Sequence, residues 1–190
     1  MSILFWRSTK ESAAHEVNEL RHFPTQIIGG DNPLASLPAV SGRSVFVQRQ
    51  APGIGTGSAY ADGDVMGTGI EFPNVFRPER LSGLCVFGMY YDLDDEGLQV
   101  DLHLFARQLT SPGADNAAVN PSDIDLTAYR GSLQFTTFSN WSSNQVSQVV
   151  NAGLHLFSET TSIWGYPVAR GALNIAAANI PVFGLCVLPD

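Results

Sequence analysis

GLCVFGMYYDLDDEGLQVDLHLFARQLTSPGADNAAVNPSDID, residues Gly83–Asp125, decides the fold class of this chain. Two apolar runs, Leu84–Tyr91 and Leu98–Ala106, flank an acidic turn at Asp92–Gly97. The second run alternates: Leu98, Val100, Leu102 and Leu104 fall on one side, Gln99, Asp101 and His103 on the other. A period of two is that of a strand with one dry face. Asp94, Asp95 and Gly97 supply turn chemistry, so the sequence predicts that the two strands pair as a β-hairpin. A polar loop without strand pattern follows at Gln108–Asp125. Loops of that length in compact domains are usually functional or packed on a neighbour.

Outward from this block, further strands are expected at Val45–Gln48, Gly69–Phe72, Ser132–Phe138 and Val146–Val150. Gly153–Phe157 and Ser162–Val168 read as another pair. Ile180–Leu188 is continuously apolar, which suits a strand in the middle of a sheet. Asn120-Pro121-Ser122-Asp123 reads as a helix start with Asn120 as cap and Pro121 in first position. That helix can last only to about Tyr129. Gly53, Gly55 and Gly57 form a G-x-G-x-G whose role is flexibility. The third glycine comes too early for a dinucleotide loop, and no strand–turn–helix unit surrounds it. About eight or nine short strands separated by Gly, Pro, Ser and Asn predict an all-β sandwich.

Residues 1–40 differ from the rest. Glu11–Leu20 has helical spacing, but Pro24, Gly29, Gly30, Pro33 and Pro38 forbid long regular structure beyond it. Apolar residues persist between these breakers, against the composition of a plain disordered tail. The chain therefore divides into an extended N-terminal arm, 1–40, and a β-sandwich domain, 41–190. Phe5, Trp6, Phe23, Ile27, Ile28 and Leu34 are the expected anchors of the arm on a partner. An arm folded back on its own domain is the other reading.

Composition narrows the function. Apolar residues make up 44% of the 190, enough for a core, while charged residues are only 15%. That falls well below the usual quarter and suggests a surface covered by other subunits. The net charge is −8. Residues 1–49 carry +1 and the remainder −9, with Lys10 the only lysine. An acidic body without a basic stripe argues against nucleic acid. No segment approaches the about 18 to 20 apolar residues of a membrane span. Met1–Trp6 is too short an apolar run for a signal peptide, so folding in a reducing cytosol is expected. Cys85 and Cys186 then read as free thiols, or as a bridge should their strands be neighbours.

The order of strand, acidic turn, LHLF, T-S-P-x-A-D-N-A-A and short helix with S-D resembles small structural proteins of tailed bacteriophages. The residues that carry it are Leu104, Phe105, Thr110, Pro112, Ala114, Asp115, Asn116, Ala117, Ala118, Ser122 and Asp123. Tyr60, Asp62, Gly63, Asp64, Gly67, Glu71, Phe72 and Asn74 upstream fit the same pattern, as do Trp164, Gly165 and Val182–Leu188. The likeness spans residues 58–190. It implies a capsid decoration (cement) or neck protein without enzymatic activity, located on the capsid surface of the virion. Its partners would be the major capsid protein or other virion proteins, and a homo-oligomer, with a trimer favoured, would fit a local three-fold. The same resemblance favours a jelly roll among sandwiches. Besides the arm, Thr110, Pro112, Asp115 and Asn116 are the expected loop contacts with the partner.

Chemistry offers weaker signals. His103 and His155 both sit in LHLF, and two such strands side by side would place two imidazoles on one face, without a third metal ligand. Asp92, Asp94, Asp95 and Glu96 begin like a calcium loop, but Gly97 is followed by apolar strand, so an acidic turn is expected and no metal. No G-x-S-x-G occurs, and no spacing singles out a triad. No catalytic residue and no cofactor is therefore expected. Trp141, Trp164, Tyr166, Tyr90 and Tyr91 could serve as a sugar-stacking platform in a glycan- or receptor-binding module, the alternative to a virion role.

Overall fold

The computed structural model describes residues 43–55, 59–176 and 179–190. The arm and its six expected anchors lie outside the described residues, as does Gly57. The described residues form nine strands: β1 (Val45–Gln50), β2 (Ile70–Phe72), β3 (Ser82–Asp92), β4 (Val100–Phe105), β5 (Tyr129–Phe135), β6 (Phe138–Asn140), β7 (Gln145–Phe157), β8 (Ile163–Ala169) and β9 (Val182–Pro189). They build two antiparallel sheets, ordered β1-β9-β3-β7-β6 and β2-β8-β4-β5. The fold is an all-β sandwich. Only the connections β4–β5 and β6–β7 stay within one sheet; every other one crosses to the opposite sheet.

This topology overturns the expected hairpin. Both strands form where the pattern placed them, but β3 pairs with β7 and β9, while β4 pairs with β5 and β8. The acidic turn is thus an arch that carries the chain from one sheet to the other. Asp92, only 3% exposed, holds it. One carboxylate oxygen accepts from Asp94 N at 3.0 Å, the other from Gly97 N at 2.8 Å. Local turn signals are the same for both geometries; which sheet the second strand joins depends on partners far along the chain.

Other expectations are corrected in the same way. Ser132–Phe138 splits into β5 and β6, which lie in different sheets. Val146–Val150 and Gly153–Phe157 join into the single strand β7, which bulges where Asn151 and Gly153 take positive φ. Its supposed partner β8 belongs to the other sheet. The helix is the four-residue Asp123–Leu126, capped by Ser122 rather than Asn120. Gly55 is pinned rather than free, its N–H donating to Asp115 Oδ2 at 2.7 Å. Ile180–Leu188 behaves as expected: β9 lies between β1 and β3.

The core fills the space between the sheets. Val100, Leu102 and Leu104 of β4 point inward as their alternation requires, beside Leu133 and Phe135 of β5 and Ile70 and Phe72 of β2. Tyr90, Phe183, Leu185, Val187 and Leu156 come from the facing sheet. The rings of Tyr90 and Phe183 stack at 5.0 Å, with Phe135 at 5.8 Å from Tyr90. β3 shifts phase at a bulge between Cys85 and Phe87, so Cys85, Gly88 and Tyr90 all face inward. Gly88 must be bare, since a Cβ there would lie 2.6 Å from Leu133 Cδ1. Cys85 and Cys186 occupy neighbouring strands, yet both are free thiols. Burial pushes the Cys85 thiol up to about 12, which leaves it protonated and unreactive.

Removing the Asp92 carboxylate leaves two N–H groups of the arch without their acceptor. Asp92→Ala should destabilise the domain by about 1–3 kcal/mol. Urea unfolding measures this, with a lower midpoint at unchanged slope expected.

Candidate functional site

Alternation along the five-stranded sheet sets its outer face. Val45 and Val47 pack on the core, so Phe46 and Gln48 point away from it. Across the sheet from Phe46 come Cys186 of β9, then Phe87 of β3, then Val150 of β7. Gly184 also lies on this face, and a Cβ on it would come within 2.8 Å of Phe46 Cζ and 3.3 Å of Met89 Cβ. Its bareness lets the Phe46 ring lean over β9, with the Phe46 and Phe87 centroids 6.3 Å apart. Phe46 is 46% exposed and Val150 62%, with Leu84 also exposed on this face. No strand of the facing sheet can cover it, because that sheet packs on the other side. The strip is bordered by polar groups: Gln48 donates to Tyr91 Oη, which donates to Met89 Sδ at 3.0 Å. At the far end, the Arg130 guanidinium lies 3.8 Å above the exposed Phe157 ring.

The loop residues expected to meet a partner turn much of their polarity inward. Asp115 gathers three segments: it accepts from Gly55 N at 2.7 Å, Tyr60 Oη at 2.7 Å and Gly67 N at 2.6 Å. Burial, then the bond to Asp115, raises the Tyr60 pKa, so its hydroxyl stays a donor. Thr110 donates its hydroxyl to Asp125 at 2.9 Å, and its N–H and that of Ser111 reach the same carboxylate. Pro112 is half-buried and Asn116 exposed, with Asn116 at φ 57°. Beside this loop, Ile124 and Leu126 of the short helix are exposed.

The other candidates do not assemble. His103 lies on β4 and His155 on β7, in different sheets, so the two imidazoles share no face. Burial lowers the His103 pKa, and its ring packs 5.9 Å from Tyr129. The acids of the arch serve neighbouring loops. Asp94 accepts from Ala176 N at 2.6 Å and Asn179 Nδ2 at 2.8 Å, and Asp95 from Gln145 Nε2 at 2.7 Å. Among the described residues, no three His, Cys, Asp or Glu side chains are grouped to hold a metal. Ser82, Asp190 and His155 do meet, but the carboxylate sits in the middle. Ser82 donates to Asp190, and His155 Nε2 lies 3.5 Å from it. The imidazole does not reach the hydroxyl, so no activated nucleophile results.

The five aromatics do not form one platform. Tyr90 is in the core, and Tyr91 lies on the outer face of the five-stranded sheet. Trp141, 72% exposed, projects from the β6–β7 turn. Trp164 packs beside Tyr166 on the outside of the four-stranded sheet. Trp164 also lines an open cavity of about 370 Å³ between the edge strands β1 and β2, with Arg49, Gln50, Pro52, Ile70, Glu71 and Pro73. No residue-spacing rule points to this cavity, because its lining comes from both sheets. No protein-family model matches the chain, and no curated protein matches it.

Burial works to raise the Asp125 pKa, but the bonds from Thr110, Ser122 and Ser111 outweigh it and hold the carboxyl below its ordinary range. Between the folded and unfolded pKa values the unfolded chain binds the extra proton, so stability rises with pH there. The contribution is present above the ordinary value near ~3.9 and is lost as pH falls through the lower folded value. Urea midpoints should therefore hold from neutral pH down to about 5 and fall below about 4. The acid slope should be shallower in Asp125→Asn; equal slopes would count against this role.

Proposed function

We propose that this chain is a non-enzymatic structural protein of a bacteriophage virion, a decoration (cement) protein that docks on the shell of major capsid subunits and stabilises it. The observation that carries the docking reading is the apolar strip Phe46, Phe87, Met89 and Val150 on the outer face of the five-stranded sheet. Such a strip with a polar border suits a protein–protein contact. The strand order also supports the reading: β1-β9-β3-β7 facing β2-β8-β4-β5, with most connections crossing between the sheets, is compatible with the jelly roll proposed for this domain. The resemblance of residues 58–190 to phage structural proteins supplies the virion setting.

The mechanism is burial and repetition. Each square ångström of apolar surface removed from water contributes roughly 25 cal/mol. A sheet face is rigid, so little ordering entropy opposes contact. Copies arranged by the symmetry of the shell, joined as trimers and reinforced by the arm, convert modest contacts into avidity. Arm anchors and the loop around Asn116 extend the contact to neighbouring subunits.

Quantitative mass spectrometry of purified virions tests the location. A ratio to the major shell protein between roughly one to three and one to one is expected, because symmetry repeats the site. A handful of copies would move the protein to the neck or tail, and absence from particles would defeat the proposal. Phe46→Glu and Val150→Glu should reduce shell occupancy at least about tenfold while leaving the thermal midpoint within a few degrees.

A further inference from the structure

The cavity between β1 and β2 is separate from the docking face. The alternation that puts Val45 and Val47 against the core puts Arg49 on that same side of β1. At this point the facing sheet has reached its own edge strand, so the guanidinium meets the cavity instead of the core. Arg49 donates one N–H to Gln48 O at 3.1 Å, and among the described residues its remaining donors meet no acceptor. Glu71 reaches the cavity from β2, directly opposite Trp164 of β8. Its Oε1 accepts from the buried Ser162 hydroxyl at 2.7 Å, which fixes the carboxylate and leaves the other oxygen for a ligand. Arg49 and Glu71 make no ion pair with each other. Pro52, Pro73, Ile70 and the indole supply apolar lining, and Gly69 opens the wall. A Cβ at Gly69 would lie 2.5 Å from Tyr166 Cζ.

We infer that this cavity is a binding site for a neutral pyranose unit of a glycan. A sugar ring presents an apolar C–H face and a rim of hydroxyls that both donate and accept. The first matches an indole surface, the second a guanidinium and a carboxylate held apart. The opposed charges argue for neutrality: Arg49 disfavours a cationic ligand, and Glu71 an anionic one. The volume, near the lower end of the range for small-molecule pockets, accommodates one or two rings. A module docked through the outer sheet face would thus carry a second, sugar-directed surface at the sandwich edge.

The test uses the full chain with methyl pyranosides and linear trisaccharides of glucose, galactose, mannose and N-acetylglucosamine, titrated by calorimetry and by saturation-transfer NMR. Uronic acid and free amino-sugar counterparts are included. At least one neutral sugar is expected to bind in the micromolar to low millimolar range, at least about threefold more tightly than its charged counterparts. Trp164→Ala should weaken binding at least about tenfold, and Trp141→Ala should not change it. Should Trp164→Ala disturb the packing with Tyr166, the exposed Glu71→Gln and Arg49→Met take its place, each expected to weaken binding about tenfold. No binding by any sugar at ~20 mM, preference for a charged sugar, or loss on Trp141→Ala alone would each overturn the inference.

Discussion

Carboxylates that accept from backbone N–H groups hold the crossings and the long β4–β5 loop of this sandwich in place. A chain that passes repeatedly between two sheets must make many irregular turns, and each turn leaves amides without a ladder partner. Asp92 closes the β3–β4 arch through the amides of Asp94 and Gly97. Asp94 in turn pins the segment before β9 through Ala176 N. Asp115 ties the 108–121 loop to Gly55 and Gly67, and Asp125 orders Thr110 and Ser111. Were these groups removed, the amides of the turns would lose their acceptors and the irregular segments would hold less firmly.

This use of acids changes the meaning of the net charge of −8. Part of the acid is engaged inside the fold rather than left open to a basic partner. Several accept from amides, and Asp101 is gripped by Arg170 through Nη2 at 2.8 Å and Nε at 2.9 Å. What the five-stranded sheet shows to solvent is instead an apolar strip, so the contact proposed here relies on burial. The low charge density follows in part from the same economy, since a backbone amide replaces a lysine or arginine as partner.

The two apolar layers of β3 share one strand because of its bulge. Cys85, Gly88 and Tyr90 face the core, while Leu84, Phe87 and Met89 face outward. Without the phase shift, Phe87 would point at Leu133 and Phe135, where there is no room for a ring. The bulge therefore positions both the core and the docking strip. Gly88 and Gly184 do complementary work on opposite faces, one admitting the facing sheet and the other admitting Phe46 and Met89.

Alternation in Leu98–Leu104, the apolar run at 180–188 and the spacing of turn residues sufficed to establish an all-β sandwich, the inward face of β4 and the interior place of β9. These are local or near-local properties, set by a two-residue period and by the cost of exposing apolar strands. Sheet membership was not legible, because Asp94-Asp95-Glu96-Gly97 is compatible with a hairpin and with an arch alike. Nor was the separation of His103 from His155, or the cavity that brings Arg49 to Glu71 and Trp164. Each depends on contacts between residues far apart in sequence, and only the packing of one sheet on the other decides which of them meet.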